Sequence, residues 1–451
     1  MPTPLAIIVC LAFILAVAYY ERKGNYNIAG PTWIVFIWIL ILSSRPISLW
    51  LGVGGSGDEL EGNAFDRNLY LLLTAGAVVT IGRRGYPWRA AISSNWPLFA
   101  LWGYMLVTCV WSDHPFVTFK RWFKDLTAFA IILVIVSSVK PSALIKAVAS
   151  RCALILFLLS YLFINYIPEL GRVYSRSGGL QIVGITTQKN TLGEIAVICI
   201  LLLVWRMAED CSGNPGRSKL RLIGVPFALC VLGGYLLWQS DSKTSLLSLI
   251  LGLVVLFSHK LPLVRNRPMH FLVIAGFAVP ALYLGNSALG LSDYALELLG
   301  RDATLTGRTG IWHAIVEHPV NPWLGVGYLM YWDELGFVEI NGYPTELKTA
   351  HNGYIDVYLD GGILGLFFLS IMVLSSARTT ASAFLKGDYL GRLRFAFFSI
   401  MMLANISESF FLRRGPLWFF YLLFCMNYPV AHSVLPMKRA RPRNRRFNVT
   451  K

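Results

Sequence analysis

The sequence predicts an all-α integral membrane protein of about 12 to 13 spanning helices. Of its 451 residues 55% are hydrophobic and 14% charged, long apolar runs recur from end to end, and basic residues gather in alternate loops. Soluble proteins of this size carry an apolar share nearer ~45–50%, so lipid is the solvent for most of this chain. A formal charge of +16 would otherwise suggest a nucleic-acid binder. Its distribution follows the positive-inside bias instead, so it encodes topology, and no nucleic acid is expected as a partner.

Apolar runs bounded by charge, Gly or Pro centre on 5–20, 32–51, 68–82, 97–111, 122–139, 147–166, 191–207, 223–239, 244–258, 269–286, 353–376, 395–412 and 417–435. Each approaches the ~20 residues that a helix needs to cross a bilayer. The first run has an A-x-A triplet at Ala16–Ala18 but no positive segment before it, so it reads as a retained span rather than a cleaved signal. Loops after the odd-numbered spans hold 24 basic residues against 12 in the even ones. The odd loops and the basic tail therefore face the cytoplasm, and the N-terminus faces outward. The first even loop is acidic, with Asp58, Glu59, Glu61 and Asp66, as an outward loop should be.

The chain divides accordingly into 1–286 (ten spans with short outer loops), 287–352 (one long outward segment), 353–435 (three spans) and 436–451 (the basic tail). Cys10, Cys109, Cys152, Cys199, Cys230 and Cys425 lie in apolar runs and Cys211 in a basic loop. With an odd total and no CxxC they indicate neither a disulfide framework nor zinc. No P-loop or HExxH motif occurs and the cytoplasmic loops are short, so no nucleotide, metal or other cofactor is expected.

The twelve outward basic residues carry the functional signal, because topology gives no reason for them. Among them, Lys189 sits beside Asn190 at the mouth of the seventh span, and Lys243 beside Ser242 in the turn between the eighth and ninth. Arg308 opens TGRTGIWHAIVEHP, which reads as a short amphipathic helix starting near Thr306. A cation there opposes the helix dipole by ~0.3–1 kcal/mol unless an anion offsets it. Helix N-termini and basic side chains together make an anion site, so Lys189, Lys243, Arg308, Arg121 and Arg413 are candidates for holding a lipid-linked pyrophosphate.

His351, followed by Asn352, Gly353 and Tyr354, starts the eleventh span, where the helix dipole favours a neutral ring able to act as a general base. His313 is its rival. Asp356 and Asp360 share a helical face with Asn352, and Asp360, Glu194 and Glu408 read as partners of outward cations. Arg308 and His351 are the catalytic candidates. Asn190, Ser242, Asn352, Tyr354 and Asp360 support them.

The strings TTQKNTLG (186–193), SDSKTS (240–245), GRTGIW (307–312), NPWLGVGY (321–328) and HNGYIDVYLDGGILG (351–365) together resemble the O-antigen ligase and polysaccharide polymerase superfamily, and most of all its exopolysaccharide production proteins. The resemblance implies a glycosyltransferase of C-type architecture with one long periplasmic loop, in a bacterial inner membrane, its active site facing the periplasm. It implies transfer, with inversion and without metal, of a glycan from an undecaprenyl-pyrophosphate donor to a glycan or lipid acceptor. Lys189, Lys243 and Arg308 then map onto the pyrophosphate-holding residues and His351 onto the family histidine. A chain-length regulator and export proteins are the implied partners. Asp360 departs from the Glu usual in relatives, and Asp58-Glu59 is similar to the acidic motif of metal-dependent C-type enzymes without a second matching motif. Three readings stay open: a repeat-unit polymerase, a ligase that uses the same donor chemistry, and a multi-pass solute transporter.

Overall fold

A computed structural model describes residues 2–22, 30–52, 63–174, 178–213, 219–260, 268, 308–340 and 343–428. Helices dominate the described residues, and five are long and apolar enough to cross a membrane: Ala64–Arg84 (α4), Pro141–Tyr166 (α8), Lys189–Gly213 (α10), Gly353–Leu385 (α15) and Tyr389–Ser407 (α16). Shorter apolar helices lie among them, including α2 (Thr32–Leu42), α6 (Trp96–Val107), α12 (Lys243–Phe257) and α17 (Pro416–Cys425). Helix α7 (Pro115–Val136) is apolar in its second half and carries Lys120, Arg121, Lys124 and Asp125 in its first. The protein is a multi-pass all-α membrane protein. Every expected span coincides with a helix except 269–286, which lies outside the described residues, as do Asp58, Glu59, Glu61 and the basic tail.

Two of the helices that stop short of their apolar runs show why. The run 32–51 breaks after α2, where Pro46 precedes a four-residue helix, Ile47–Trp50. The run 395–412 ends at Ser407, and Glu408 to Gly415 form a loop that turns back into the protein, with Phe411 and Leu412 buried. Apolarity there reflects burial in protein rather than in lipid. Leu412 holds the left-handed conformation at φ 56°, uncommon for a branched residue, so its surroundings must hold the turn in place.

The centre of the fold is α15, which packs on α16 and α6, while α12 packs on α16 and α10. Helix α15 is broken at Gly362, whose φ 62° and ψ −161° are open to glycine alone; a Cβ there would lie 2.2 Å from the Trp323 carbonyl carbon. Breaking a helix frees backbone groups that lipid cannot satisfy. The segment 322–327 supplies most of the partners: Val326 N–H donates to Leu359 O (3.1 Å), Gly327 N–H to Asp360 O (3.0 Å), Ile363 N–H to Pro322 O (2.8 Å) and Leu364 N–H to Trp323 O (3.3 Å). Tyr104 Oη donates to Gly361 O at 2.6 Å. The NPWLGVGY motif is thus a backbone brace across a broken helix.

The described part of the long outward segment forms a small layer on this break. It comprises a helix, Arg308–Glu317 (α13), a short helix, Tyr331–Leu335 (α14), and a hairpin pairing Phe337–Ile340 (β1) with Tyr343–Glu346 (β2). Ile311, Ala314, Tyr331, Trp332, Leu347 and Ala350 form its core with Leu359 of α15. This core fixes the segment on the first turns of α15.

Candidate active site

A polar cavity of about 340 Å³ opens between α7, the outer layer and the loop before α17. Arg121, Lys124 and Asp125 line it from α7, spaced so that one helical face presents all three. Trp332, Asp333, Glu346, Leu347 and Lys348 line it from the outer layer, and Arg413 and Arg414 from the α16–α17 loop. Five cations thus face three carboxylates, a net positive chamber able to hold an anion of more than one charge.

Arg121 and Arg413 are each held by backbone as well as by charge. Arg121 donates to Leu329 O and pairs with Asp333. Arg413 donates to Lys348 O at 3.3 Å and pairs with Asp356 Oδ1, also at 3.3 Å. Asp356 is buried, and the same oxygen accepts from Trp332 Nε1 (2.7 Å) and Ala350 N–H (3.1 Å). One carboxylate therefore ties Arg413, the outer layer and the residue before His351 together. The Arg414 guanidinium lies 4.8 Å over the Tyr70 ring. Tyr328 Oη bonds Asp125 and donates to Leu412 O at 2.7 Å, which links α7 to the arginine loop.

His351 lies outside the cavity lining and follows Ala350, whose N–H is bound to the Asp356 carboxylate that pairs with Arg413. Its φ is 50°, and its Nδ1 lies 3.1 Å from Glu408 Oε2. Asn190 Nδ2 donates to the other Glu408 oxygen at 2.9 Å. Asn352 caps α15, accepting from Tyr354 and Ile355 N–H, and donates to Ile406 O; Tyr354 Oη donates to Met402 O. These two residues pin α15 to α16 just behind the histidine.

The sequence candidates separate into groups. Arg121 and Arg413 come together in the cavity, and Asp356 joins Arg413 to Ala350, the residue before His351. Lys189 and Lys243 lie apart from the cavity lining and flank Asp241, at 3.7 and 3.1 Å. Asp241, at φ 44°, makes the turn there, and Ser242 caps α12 by accepting from Ser245 N–H. Arg308 is the first described residue of α13, and its side chain lies outside the described residues. Trp312 of the same helix donates from Nε1 to Ala350 O at 3.1 Å, so α13 docks next to His351. His313 is 73% exposed and pairs only with Glu317 of its own helix among the described residues.

Two carboxylates, Asp360 and Glu194, differ from expectation. The partner of Arg413 is Asp356; Asp360, one turn deeper, is buried with Oδ1 lacking a hydrogen-bond partner among the described residues. Glu194 accepts from the Leu417 N–H at the start of α17 (2.6 Å) and so caps a helix instead of pairing with a cation. Glu408 takes His351 and Asn190. Lys124, Asp125, Lys348 and Arg414 were not singled out in the sequence, although the 121, 124, 125 spacing and the Arg413-Arg414 pair were there to be read.

Comparison with known proteins fits this geometry. A family model described as O-Antigen ligase matches residues 228–370, which contain Lys243, Arg308, His351, Asp356 and the brace across Gly362. The exopolysaccharide production protein ExoQ of Rhizobium meliloti (strain 1021) is 27% identical over 296 residues, covering 62% of this chain and 63% of that protein. The chain thus matches less than two thirds of that relative's length. Both matches bear out the likeness to the O-antigen ligase and polysaccharide polymerase superfamily.

Proposed function

We propose that this protein is a membrane glycosyltransferase that joins lipid-linked oligosaccharide repeat units into a polymer at the periplasmic face of a bacterial inner membrane. The observation that carries the reading is the cavity that gathers five cations, one of which, Arg413, is joined through Asp356 to the residue before His351. The donor's undecaprenyl pyrophosphate sits against Arg121, Lys124, Arg413 and Arg414. An acceptor hydroxyl attacks the anomeric carbon from the opposite side, inverting it. A new C–O bond forms as the bond to pyrophosphate breaks. The electron pair leaves with the pyrophosphate, and the hydroxyl proton passes to His351. Preset cations lower the barrier because the leaving group gains a negative charge, and single donors of this kind are worth ~2.7–4 kcal/mol.

A polymerase is favoured over a ligase because the matched relative is named for exopolysaccharide production. Purified protein supplied with lipid-linked repeat units should release undecaprenyl pyrophosphate and yield longer glycans. Release that depends instead on an added lipid acceptor would make the protein a ligase, and unchanged repeat units would sink both enzyme readings.

A further inference from the structure

Three elements converge on Glu408. Its Oε2 lies 3.1 Å from His351 Nδ1, and its Oε1 accepts from Asn190 Nδ2 at 2.9 Å in the first turn of α10. Its backbone carbonyl accepts from Gly353 N–H at 3.0 Å, the first residue of α15, and its own N–H donates to Ala404 O at 2.9 Å. The carboxylate is thus held at both oxygens and its backbone at both ends. At 14% exposure against 38% for the ring, it is the inner member of the pair.

We infer that Glu408 is the positioning residue of this site: it fixes the His351 ring with the proton on Nδ1, so that the Nε2 lone pair faces the acceptor hydroxyl. The inference rests on His351 acting as the base. A carboxylate accepts only, so the ring nitrogen beside it must be the donor, which leaves the other as the basic one. When the acceptor's proton reaches Nε2, the imidazolium lies against a carboxylate already in place, and no group need reorganise to stabilise it. His351 holds φ 50°, uncommon for any residue with a side chain although histidine adopts it more readily than most, so its contacts help to hold it there. The Glu408 contact and the Asn352 cap are those contacts. Asn190 prevents the carboxylate from turning away.

The test is a double-mutant cycle on turnover, joined to the ring's protonation pattern. Glu408→Ala should lower kcat about 10²-fold, the lower end of what general-base catalysis supplies, with KM for the lipid-linked substrate nearly unchanged. In a His351→Ala background it should cost nothing further, because the two act as one unit. Nitrogen NMR of histidine-labelled protein should show His351 as a single Nδ1–H tautomer, and as a mixture in Glu408→Ala. Glu408→Asp should recover part of the rate. Equal costs in both backgrounds, or an unchanged tautomer in Glu408→Ala, would overturn the inference. If His351→Ala itself keeps full turnover, the base assignment falls, while the tautomer measurement still decides whether Glu408 orients the ring.

Discussion

Arg413→Met should cost both stability and turnover, and the two losses can be separated. At 3.3 Å and an effective dielectric of ~20, the Arg413–Asp356 attraction is about 5 kcal/mol before desolvation. Removing one member of such a buried pair leaves the other charge uncompensated and costs ~3–5 kcal/mol. Asp356 would keep its bonds from Trp332 and Ala350, which are neutral donors. Changing Asp356→Asn as well keeps an oxygen for those donors and removes the stranded charge. The double variant should regain thermal stability to within ~1 kcal/mol of the native protein, since exchanging a buried pair for neutral groups is often close to neutral. Its turnover should stay ~10²–10³-fold down, the value of one lost charge-stabilising donor. Thermal unfolding in detergent and release of undecaprenyl pyrophosphate measure the two effects. A double variant with native turnover would refute the argument, reducing Arg413 to a counter-ion for the loop before His351.

Lys243→Ala should reduce turnover far less than Arg121→Ala, because Lys243 lies with Asp241 away from the cavity lining; equal losses in the same assay would move the anion site toward α12. Gly362→Ala should abolish membrane-inserted protein, measured by expression and protease resistance, since its Cβ would lie 2.2 Å from the Trp323 carbonyl carbon at a φ of 62°. The Glu334 carboxyl, in the outer layer, is pushed up to about 7 by partial burial and then by Asp113 and Asp333. Its folded form holds the proton more tightly than the unfolded chain does, so its contribution to stability is full below about pH 4.5 and is lost as pH rises through about 7. Glu334→Gln should raise the melting temperature at pH 8 and flatten that slope; an unchanged slope would assign it to another group.

The spans were readable because lipid demands long apolar runs, and α8 and α10 follow them closely. The failure at 395–412 has the same cause: hydropathy does not distinguish a lipid-facing helix from Phe411 and Leu412 turned into a protein core. Basic residues were readable as exceptions to topology, which put Arg121 and Arg413 among the candidates. That reasoning could not group them, because grouping depends on pairings such as Arg121 with Leu329 and His351 with Glu408, separated by 208 and 57 residues. Lys189 and Lys243 look equivalent to the arginines in the sequence for the same reason, and the structure gathers them around Asp241, apart from the cavity lining. A histidine at a positive φ has no sequence signal.

The broken helix accounts for why the cavity forms where it does. An unbroken α15 would carry Asp356 and Asp360 into apolar surroundings with no backbone segment beside them. Because the helix opens at Gly362, residues 322–327 must enter to satisfy it, and they bring the next residues with them. Tyr328 then bonds Asp125 and the Leu412 carbonyl, Leu329 offers its carbonyl to Arg121, and Asp333 follows at hydrogen-bonding range of the same guanidinium. The brace therefore orders α7 and the arginine loop in one stroke, although none of its own side chains need touch an anion. Its glycines serve close approach: a Cβ on Gly325 would lie 2.5 Å from Asp360 and Gly361 backbone atoms. The motif most visible in the sequence is thus scaffolding, and the charged side chains it positions come from segments with no comparable motif.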